Sequence, residues 1–126
     1  MACVLAVDDL KSMRHMMTLT LSGAGFEVKK ANNGREALQK LVDAHPDLIL
    51  ADIDMPRMNG LELTRSIRTD PAMANIPILL VSSDVQSGEL DIPRAEAAGA
   101  DGWLCKPLNS AQLVDAINRL VPRKNE

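Results

Sequence analysis

The chain has 126 residues and a formal net charge of −3, from 14 Lys and Arg against 17 Asp and Glu. Its length fits one domain with a single core, and a composition of 46% hydrophobic and 25% charged residues excludes a disordered or fibrous chain. The mild acidity disfavours a nucleic-acid-binding domain, and the apolar runs fall short of the roughly 20 residues of a membrane span, so we expect a cytoplasmic protein without membrane insertion.

The first half of the sequence predicts two strands and two helices, beginning with Cys3–Val7, a continuous apolar run typical of a parallel strand covered on both faces. The helix that follows ends at Gly23 and Gly25. Its apolar face consists of Met13, Met16, Met17 and Leu21. Phe26–Lys29 alternates apolar and charged residues, which indicates an edge strand, and Asn33–Glu36 resembles a capping box. The second helix is predicted to turn inward Leu38, Leu41 and Val42.

The second half continues the alternation with three more strands and three more helices. Leu48–Ala51 and Ile78–Val81 are apolar runs of the buried-strand type, and Gly102–Cys105 is a short fifth strand. A helix runs from about Gly60 to Thr69, and a short Ala-rich helix covers Pro93–Ala98 before Gly99. The last helix has its cap and core stripe at Asn109, Leu113, Ile117, Leu120 and Val121.

Strands that alternate with helices predict an α/β fold, because parallel strands need right-handed crossover connections that place helices on both faces of the sheet. No repeat, linker or low-complexity tract interrupts the pattern. Only Arg123–Glu126 follow Pro122. We therefore expect one domain over residues 1–126, with no output domain attached.

Polar side chains follow four of the five predicted strands, and ligands bind at this carboxyl edge of such sheets. They are Asp8 and Asp9 after the first strand, Asp52 after the third, Ser82 after the fourth and Lys106 after the fifth. Clustered carboxylates repel one another unless a cation lies among them, and oxygen ligands without His or Cys favour Mg²⁺. Lys106 and Ser82 would bind phosphoryl oxygens, and a carboxylate between them could attack phosphorus to form a labile aspartyl phosphate, which suits a switch.

Four motifs in this order resemble the response-regulator receiver domain over residues 3–121, and most of all its stand-alone, CheY-like members. The motifs are Val7-Asp8-Asp9, the segment Asp52–Gly60, Val81-Ser82-Ser83 and Lys106-Pro107. The resemblance implies a flavodoxin-like (βα)5 fold whose parallel strands lie in the order 2-1-3-4-5. In that order two strands separate Cys3 from Cys105 by about 14 Å, too far for a disulfide, so we expect two buried free thiols.

The resemblance also implies a role for each residue of the acidic cluster. Asp52 is the phosphoacceptor, and Mg²⁺ is bound by Asp9 directly, by Asp8 through water, by Asp52 and by the backbone carbonyl of Asp54. Lys106 binds the phosphoryl group, and its bond to Pro107 is expected to be cis.

The resemblance implies that further residues transmit the conformational signal or set the lifetime of the phosphoryl group. Ser82, where the family commonly has Thr, would move toward the phosphoryl group and act through Trp103, where the family commonly has Tyr or Phe. An alternative for Trp103 is that it only fills the core. Asp54 and Asp84 hold positions that tune loss of the phosphoryl group. The segment Ser83–Pro93 is slightly longer than usual, which bears on the output face.

The predicted function is a single-domain response regulator that promotes its own phosphorylation and dephosphorylation and is not otherwise an enzyme. Its donor would be a phosphohistidine on a sensor kinase or phosphotransfer domain, and its target a partner protein, with chemotaxis as one possible pathway. We expect a monomer that binds no nucleic acid. Lys11, Arg14 and His15 either form a solvated basic face or meet an acidic partner helix.

Three alternatives remain open at this point. The chain could be a phosphate sink that drains a kinase, or a pseudo-receiver that binds partners without phosphorylation, although its acidic set is complete. Asp52-Ile53-Asp54 also matches the Asp-x-Asp nucleophile of haloacid-dehalogenase-like phosphatases, but that motif usually follows the first strand. Multiple turnover of small phosphate esters would favour the phosphatase.

Overall fold

The computed structural model describes residues 2–55, 58–82 and 93–121. Its strands are β1 (Cys3–Val7), β2 (Glu27–Ala31), β3 (Leu48–Asp52), β4 (Ile78–Ser82) and β5 (Gly102–Cys105). Its helices are α1 (Lys11–Gly23), α2 (Gly34–Ala44), α3 (Gly60–Arg68), α4 (93–98) and α5 (Ser110–Leu120). The strands form one parallel sheet in the order β2-β1-β3-β4-β5, which confirms the fold expected from the sequence. None of the described helices is long and apolar enough to cross a membrane.

Two layers of helices bury the central strands of the sheet. Every residue of β1, β3 and β4 is buried, which explains their continuous apolar sequences. On one face, α1 and α5 pack Met17, Leu21, Leu113 and Ile117 against the sheet. On the other face, α2, α3 and α4 contribute Leu41, Leu63, Ile67 and Ala95. The inner strands, whose carboxyl ends carry the predicted site, are thereby held between two packed cores.

The register of the strands places the predicted site residues at one level. Val7 lies opposite Ala51, so the next residues, Asp8 and Asp52, leave the sheet side by side. Asp52 in turn lies opposite Val81, which precedes Ser82. The same edge therefore presents the residues that follow β1, β3 and β4.

Two expectations about burial were wrong. Val42 was expected to face inward, but its surface is 68% exposed because the buried face of α2 is centred on Ala37 and Leu41 instead. Cys105 was expected to be buried, but it is exposed because β5 is an edge strand whose last residue lies outside the helical layers. Cys3 is buried and free as expected, and burial raises the pKa of its thiol.

Side chains of asparagine begin three of the helices. Asn33 accepts a hydrogen bond from the backbone of Glu36 at 2.9 Å, but the Glu36 carboxylate pairs with Lys40 at 3.2 Å, so the reciprocal contact of a capping box is not formed there. The complete box is at α3, where Asn59 and Glu62 bond to each other's backbone N–H groups at 2.9 and 3.3 Å. Asn109 caps α5 as predicted.

The guanidinium group of Arg68 connects the end of α3 to the beginning of β5. Its Nε donates to the carbonyl of Gly99 at 2.8 Å, and its Nη1 donates to the carbonyls of Ala74 and Ile76 at 2.9 and 2.8 Å. Its Nη2 lies 2.6 Å from a carboxylate oxygen of Asp101. The strand that leads to Lys106 is thus anchored at its start.

Gly60 allows α3 to begin directly against the backbone of the phosphoacceptor candidate. A Cβ atom at position 60 would lie 2.6 Å from the carbonyl oxygen of Asp52, and backbone cannot give way as a flexible side chain can. We therefore expect Gly60→Ala to lower the free energy of unfolding by about 1–3 kcal/mol, as overpacking does elsewhere. Urea unfolding measures this change.

The control for this substitution is Gly23→Ala, because nothing lies within 4 Å of a Cβ atom at position 23. Alanine is the better helix former, so this variant should be as stable as the parent or more stable by up to about 1 kcal/mol. Equal stability of the two variants would show that α3 does not need the close approach at Gly60.

Candidate functional site

Three carboxylates meet at the carboxyl edge of the sheet. Asp8 follows β1, Asp9 follows Asp8, and Asp52 is the last residue of β3. One oxygen from each of the three lies within 4.8 Å of the other two. Asp8 and Asp52 are buried, whereas Asp9 is exposed to solvent. The cluster is therefore buried at Asp8 and Asp52 and open to solvent at Asp9.

Asp8 is held in place by backbone contacts on one side and left with an unsatisfied oxygen on the other. Its Oδ1 accepts a hydrogen bond from the backbone N–H of Leu10 at 2.9 Å, and its carbonyl accepts one from Nη1 of Arg14 at 2.6 Å. Among the described residues, no donor reaches its Oδ2, although Nζ of Lys106 lies 3.7 Å away. A buried carboxylate oxygen without a hydrogen bond is costly unless a ligand satisfies it.

The environment of Asp8 raises the pKa of its carboxyl group to about 6. Burial is the main cause because it removes water from the charged form, and the negative charges of Asp52 and Asp9 add to the effect. The N–H of Leu10 and the ammonium group of Lys106 act in the opposite direction and do not cancel it. The site therefore carries more negative charge than its own residues stabilise.

Both carboxylate oxygens of Asp52 accept a hydrogen bond. Oδ1 accepts a hydrogen bond from the backbone N–H of Asp54 at 3.0 Å, and Oδ2 accepts one from Nζ of Lys106 at 2.9 Å. Burial alone would lower the pKa of Lys106, but the hydrogen bond and charge of Asp52, together with Asp8, raise it overall. Lys106 is therefore a fixed positive charge against the buried carboxylates.

The edge of β4 and β5 completes the surroundings of Asp52. Ser82 is buried at the end of β4, and its carbonyl accepts a hydrogen bond from the backbone N–H of Lys106 at 2.8 Å. The bond between Lys106 and Pro107 is cis. Trp103 is half-buried and packs against the core cluster that includes Ala95 of α4. Its position suits core filling as well as a link between β5 and α4.

The structure brings together Asp8, Asp9, Asp52 and Lys106, with Ser82 on the adjoining strand end. Asp54 is exposed directly after the cluster. Asp84 and most of the segment Ser83–Pro93 lie outside the described residues, so the expectations for them stay predictions.

Two residues that shape the site were not predicted. Arg14 was assigned to a basic face, but its guanidinium reaches back to the carbonyl of Asp8. Gly60 was expected only to begin a helix, but it also gives the room that the Asp52 backbone needs. The one sequence signal for the close approach of Gly60 to Asp52 was a small residue at the start of α3. No sequence pattern indicates the contact of Arg14 with Asp8.

The donor atoms of the cluster fit a hard divalent cation. All three side chains offer carboxylate oxygens, neither His nor Cys is among them, and Asp9 leaves one side open to solvent. The unsatisfied Oδ2 of Asp8 marks a place where positive charge is lacking. Such oxygen sets with few carboxylates and open positions suit Mg²⁺, which keeps several water ligands.

Comparison with known proteins gives matches over nearly the whole chain. The sequence model of the response regulator receiver domain matches residues 4–118. Protein PilG of Pseudomonas aeruginosa is 34% identical over 119 residues, which are 94% of this chain and 87% of PilG. The DNA-binding response regulator MtrA of Mycobacterium leprae is 30% identical over 98% of this chain, and the chain spans about half of MtrA (52%). The structure of the chemotaxis protein CheY4 of Vibrio cholerae is 41% identical, with a TM-score of 0.87 over 96% of this chain and 99% of CheY4.

The raised pKa of Asp8 predicts a pH dependence of stability in the metal-free protein. Below pH 3.8 the carboxyl group is protonated in both the folded and the unfolded chain. Between that pH and about 6 only the unfolded chain gives up the proton, so folding loses stability as the pH rises. We expect Asp8→Asn to remove a loss on the order of 3 kcal/mol, measured by urea unfolding in EDTA across this pH range.

The matched control is Asp43→Asn, which changes an exposed carboxylate on α2. It should follow the parent at every pH. The stability difference between Asp8→Asn and the parent should differ between pH 4 and pH 7. If it is the same at both, burial does not raise the pKa of Asp8 in the folded protein.

Proposed function

The chain belongs to the response-regulator receiver domain family, and on that premise we propose that it accepts a phosphoryl group on Asp52 and thereby switches its binding to a partner protein. The observation that carries the proposal is the position of the Asp52 carboxylate between the ammonium group of Lys106 and the oxygens of Asp8 and Asp9. A nucleophile, a positive charge and a set of cation ligands converge there, and these are the parts that phosphoryl transfer needs.

In the proposed reaction, an oxygen of Asp52 attacks the phosphorus of a phosphohistidine. The new O–P bond forms as the P–N bond of the donor breaks, and the donor histidine leaves as the neutral imidazole after taking up a proton. Lys106 then transfers its hydrogen bond from Asp52 to a phosphoryl oxygen, and the hydroxyl group of Ser82 donates to another. The N–H of Asp54 keeps the remaining Asp52 oxygen in position throughout.

The metal of the proposed site is Mg²⁺. Asp9 and Asp52 would hold it directly, Asp8 through water, and Asp54 through its backbone carbonyl. When bound, the ion supplies positive charge to the phosphoryl oxygens. The Asp8 oxygen that lacks a hydrogen bond supports this assignment because a hydrated cation would satisfy it.

The switch is proposed to run from Ser82 through Trp103 to the face formed by α4, β5 and α5. Trp103 supports this path because it packs on the cluster to which α4 contributes Ala95 and Ala98. Phosphorylation needs to favour the active conformer by only a few kcal/mol to invert its population. We propose that Asp54 and Asp84 set how fast the phosphoryl group is lost.

The proposed setting is a two-component pathway in the cytoplasm. The donor is a histidine kinase or a histidine phosphotransfer protein, and the output is a downstream protein rather than nucleic acid. Similarity to the chemotaxis protein CheY4 favours a chemotaxis-type pathway. We propose that the chain acts as a monomer with a single domain over residues 1–126, and that it promotes its own phosphorylation and dephosphorylation.

Incubation with acetyl phosphate and MgCl₂ tests the central step. Intact-mass measurement should show one phosphoryl adduct per chain, and hydroxylamine should remove it because an acyl phosphate is labile to that nucleophile. Asp52→Asn should carry no adduct. EDTA should prevent the reaction in the parent protein.

The matched control is Asp115→Asn, which changes an exposed carboxylate on α5 and should be labelled like the parent. An adduct that persists in Asp52→Asn would place the phosphoryl group elsewhere and refute the proposal. Trp103 is the one tryptophan of the chain, so its fluorescence in the same samples reports whether phosphorylation reaches β5.

A further inference from the structure

A groove of opposite charge lies beside the acidic cluster, between α1, β2 and α2. It consists of two cavities of about 300 and 490 Å³. Among their lining residues are five Lys and Arg side chains, which define what we call the basic groove: Lys11, Arg14, Lys29, Lys30 and Lys40. The carboxylates of the lining are Glu36 and Asp43. The groove thus carries an excess of three positive charges on a chain of net charge −3.

The positive charge of the groove is only partly neutralised within it. Lys40 pairs with Glu36 at 3.2 Å and also donates a hydrogen bond to the carbonyl of Lys30, and this side chain lines both cavities. Lys11, Lys29 and Lys30 are exposed, and no ion pair to another described residue is formed by any of the three. An excess of positive charge on one surface attracts an anionic ligand.

Exposed apolar surface adjoins the groove at its α1 end. Leu10, which directly precedes Lys11, is 52% exposed, although large apolar side chains are usually buried. Its carbonyl accepts the backbone N–H of Arg14, so the backbone of Leu10 is fixed at the start of α1. A partner that carries both carboxylates and apolar side chains would bury Leu10 and pair with the lysines.

We infer that the basic groove is a docking site for an acidic segment of a partner protein. The groove suits a protein better than nucleic acid, because two carboxylates interrupt its positive charge and its described lining contains no Phe, Tyr or Trp side chain for base stacking. It suits a protein better than a small phosphate ester, because its lysines are exposed and are spread over three elements, α1, β2 and α2. An acidic segment can place carboxylates opposite the lysines and leave Glu36 and Asp43 in water.

The inference is separate from the phosphorylation of Asp52. None of the three clustered carboxylates lines either cavity. Two residues connect the sites: Arg14 lines the groove and holds the carbonyl of Asp8, and the backbone N–H of Leu10 donates to Oδ1 of Asp8. Asp52→Asn should therefore dock the acidic segment as the parent does, and a failure of the proposed phosphorylation would leave this docking intact.

The test uses a short synthetic peptide rich in Glu and Leu, titrated into the ¹⁵N-labelled protein at low salt. Amide shifts should be confined to Leu10–His15, Glu27–Asn32 and α2, and a Lys- and Leu-rich peptide should cause none. The variant Lys11→Gln/Lys30→Gln should bind roughly two- to thirtyfold more weakly, the range expected for two exposed ion pairs. Arg14 is left unchanged because it also positions Asp8.

The matched control is Arg65→Gln/Arg119→Gln, which removes two exposed positive charges outside the groove and should bind as the parent does. An equal loss in this variant would reduce the effect to net charge and overturn the inference. Shifts located outside the groove would overturn it as well. Tighter binding of pyrophosphate or of a single-stranded oligonucleotide to the same residues would show that the groove takes a different class of ligand.

Discussion

The site depends on the burial of two mutually repelling carboxylates, Asp8 and Asp52, at the ends of neighbouring strands. The parallel pairing of β1 and β3 fixes Asp8 and Asp52 at one level of the sheet, and both are buried. Burial is the main cause of the raised pKa of Asp8, and the negative charge of Asp52 adds to it. Lys106 offsets part of this cost at 2.9 Å from Asp52. The remaining cost of the buried negative charge changes when a cation binds or when a phosphoryl group is added. The site therefore responds to both.

The fold holds these charges in place by packing rather than by contacts among the charged groups alone. β1, β3 and β4 are buried along their whole length, so their ends cannot drift apart without opening the core. Gly60 lets α3 start against the carbonyl of Asp52, and Arg68 anchors the chain that leads into β5. On the outer side, Arg14 connects the acidic cluster to the basic groove, so two oppositely charged surfaces adjoin each other at this residue.

Much of the fold could be predicted from the sequence because buried parallel strands need continuous apolar runs. Cys3–Val7 and Ile78–Val81 were recognised in this way, and the receiver-domain motifs gave the strand order. Periodicity could not decide which side chains lie at the border of a helix's buried face, which is why Val42 was misplaced. Cys105 was misplaced because the strand order puts β5 at the edge of the sheet but does not tell whether neighbouring elements cover its last residue.

The carboxylates and the lysine of the site were also found from the sequence, because strand ends can be located without knowing side-chain contacts. The contacts of Arg14 and Gly60 could not be found, since they join residues whose distance depends on how a helix leaves the sheet. The same holds for the basic groove. Its α1 part, Lys11, Arg14 and His15, was visible in the sequence as a basic face, but only the folded chain brings the lysines of β2 and α2 to the same surface.

The most direct test of the central claim is the free energy of unfolding at pH 8 as a function of MgCl₂, with NaCl added to keep the ionic strength constant. If the carboxylate cluster binds the ion, the parent should gain about 2.7 kcal/mol when the Mg²⁺ concentration reaches a hundredfold excess over the dissociation constant. Asp9→Asn, which changes the exposed member of the cluster, should gain far less. No gain in the parent, or the same gain in both proteins, would contradict the account.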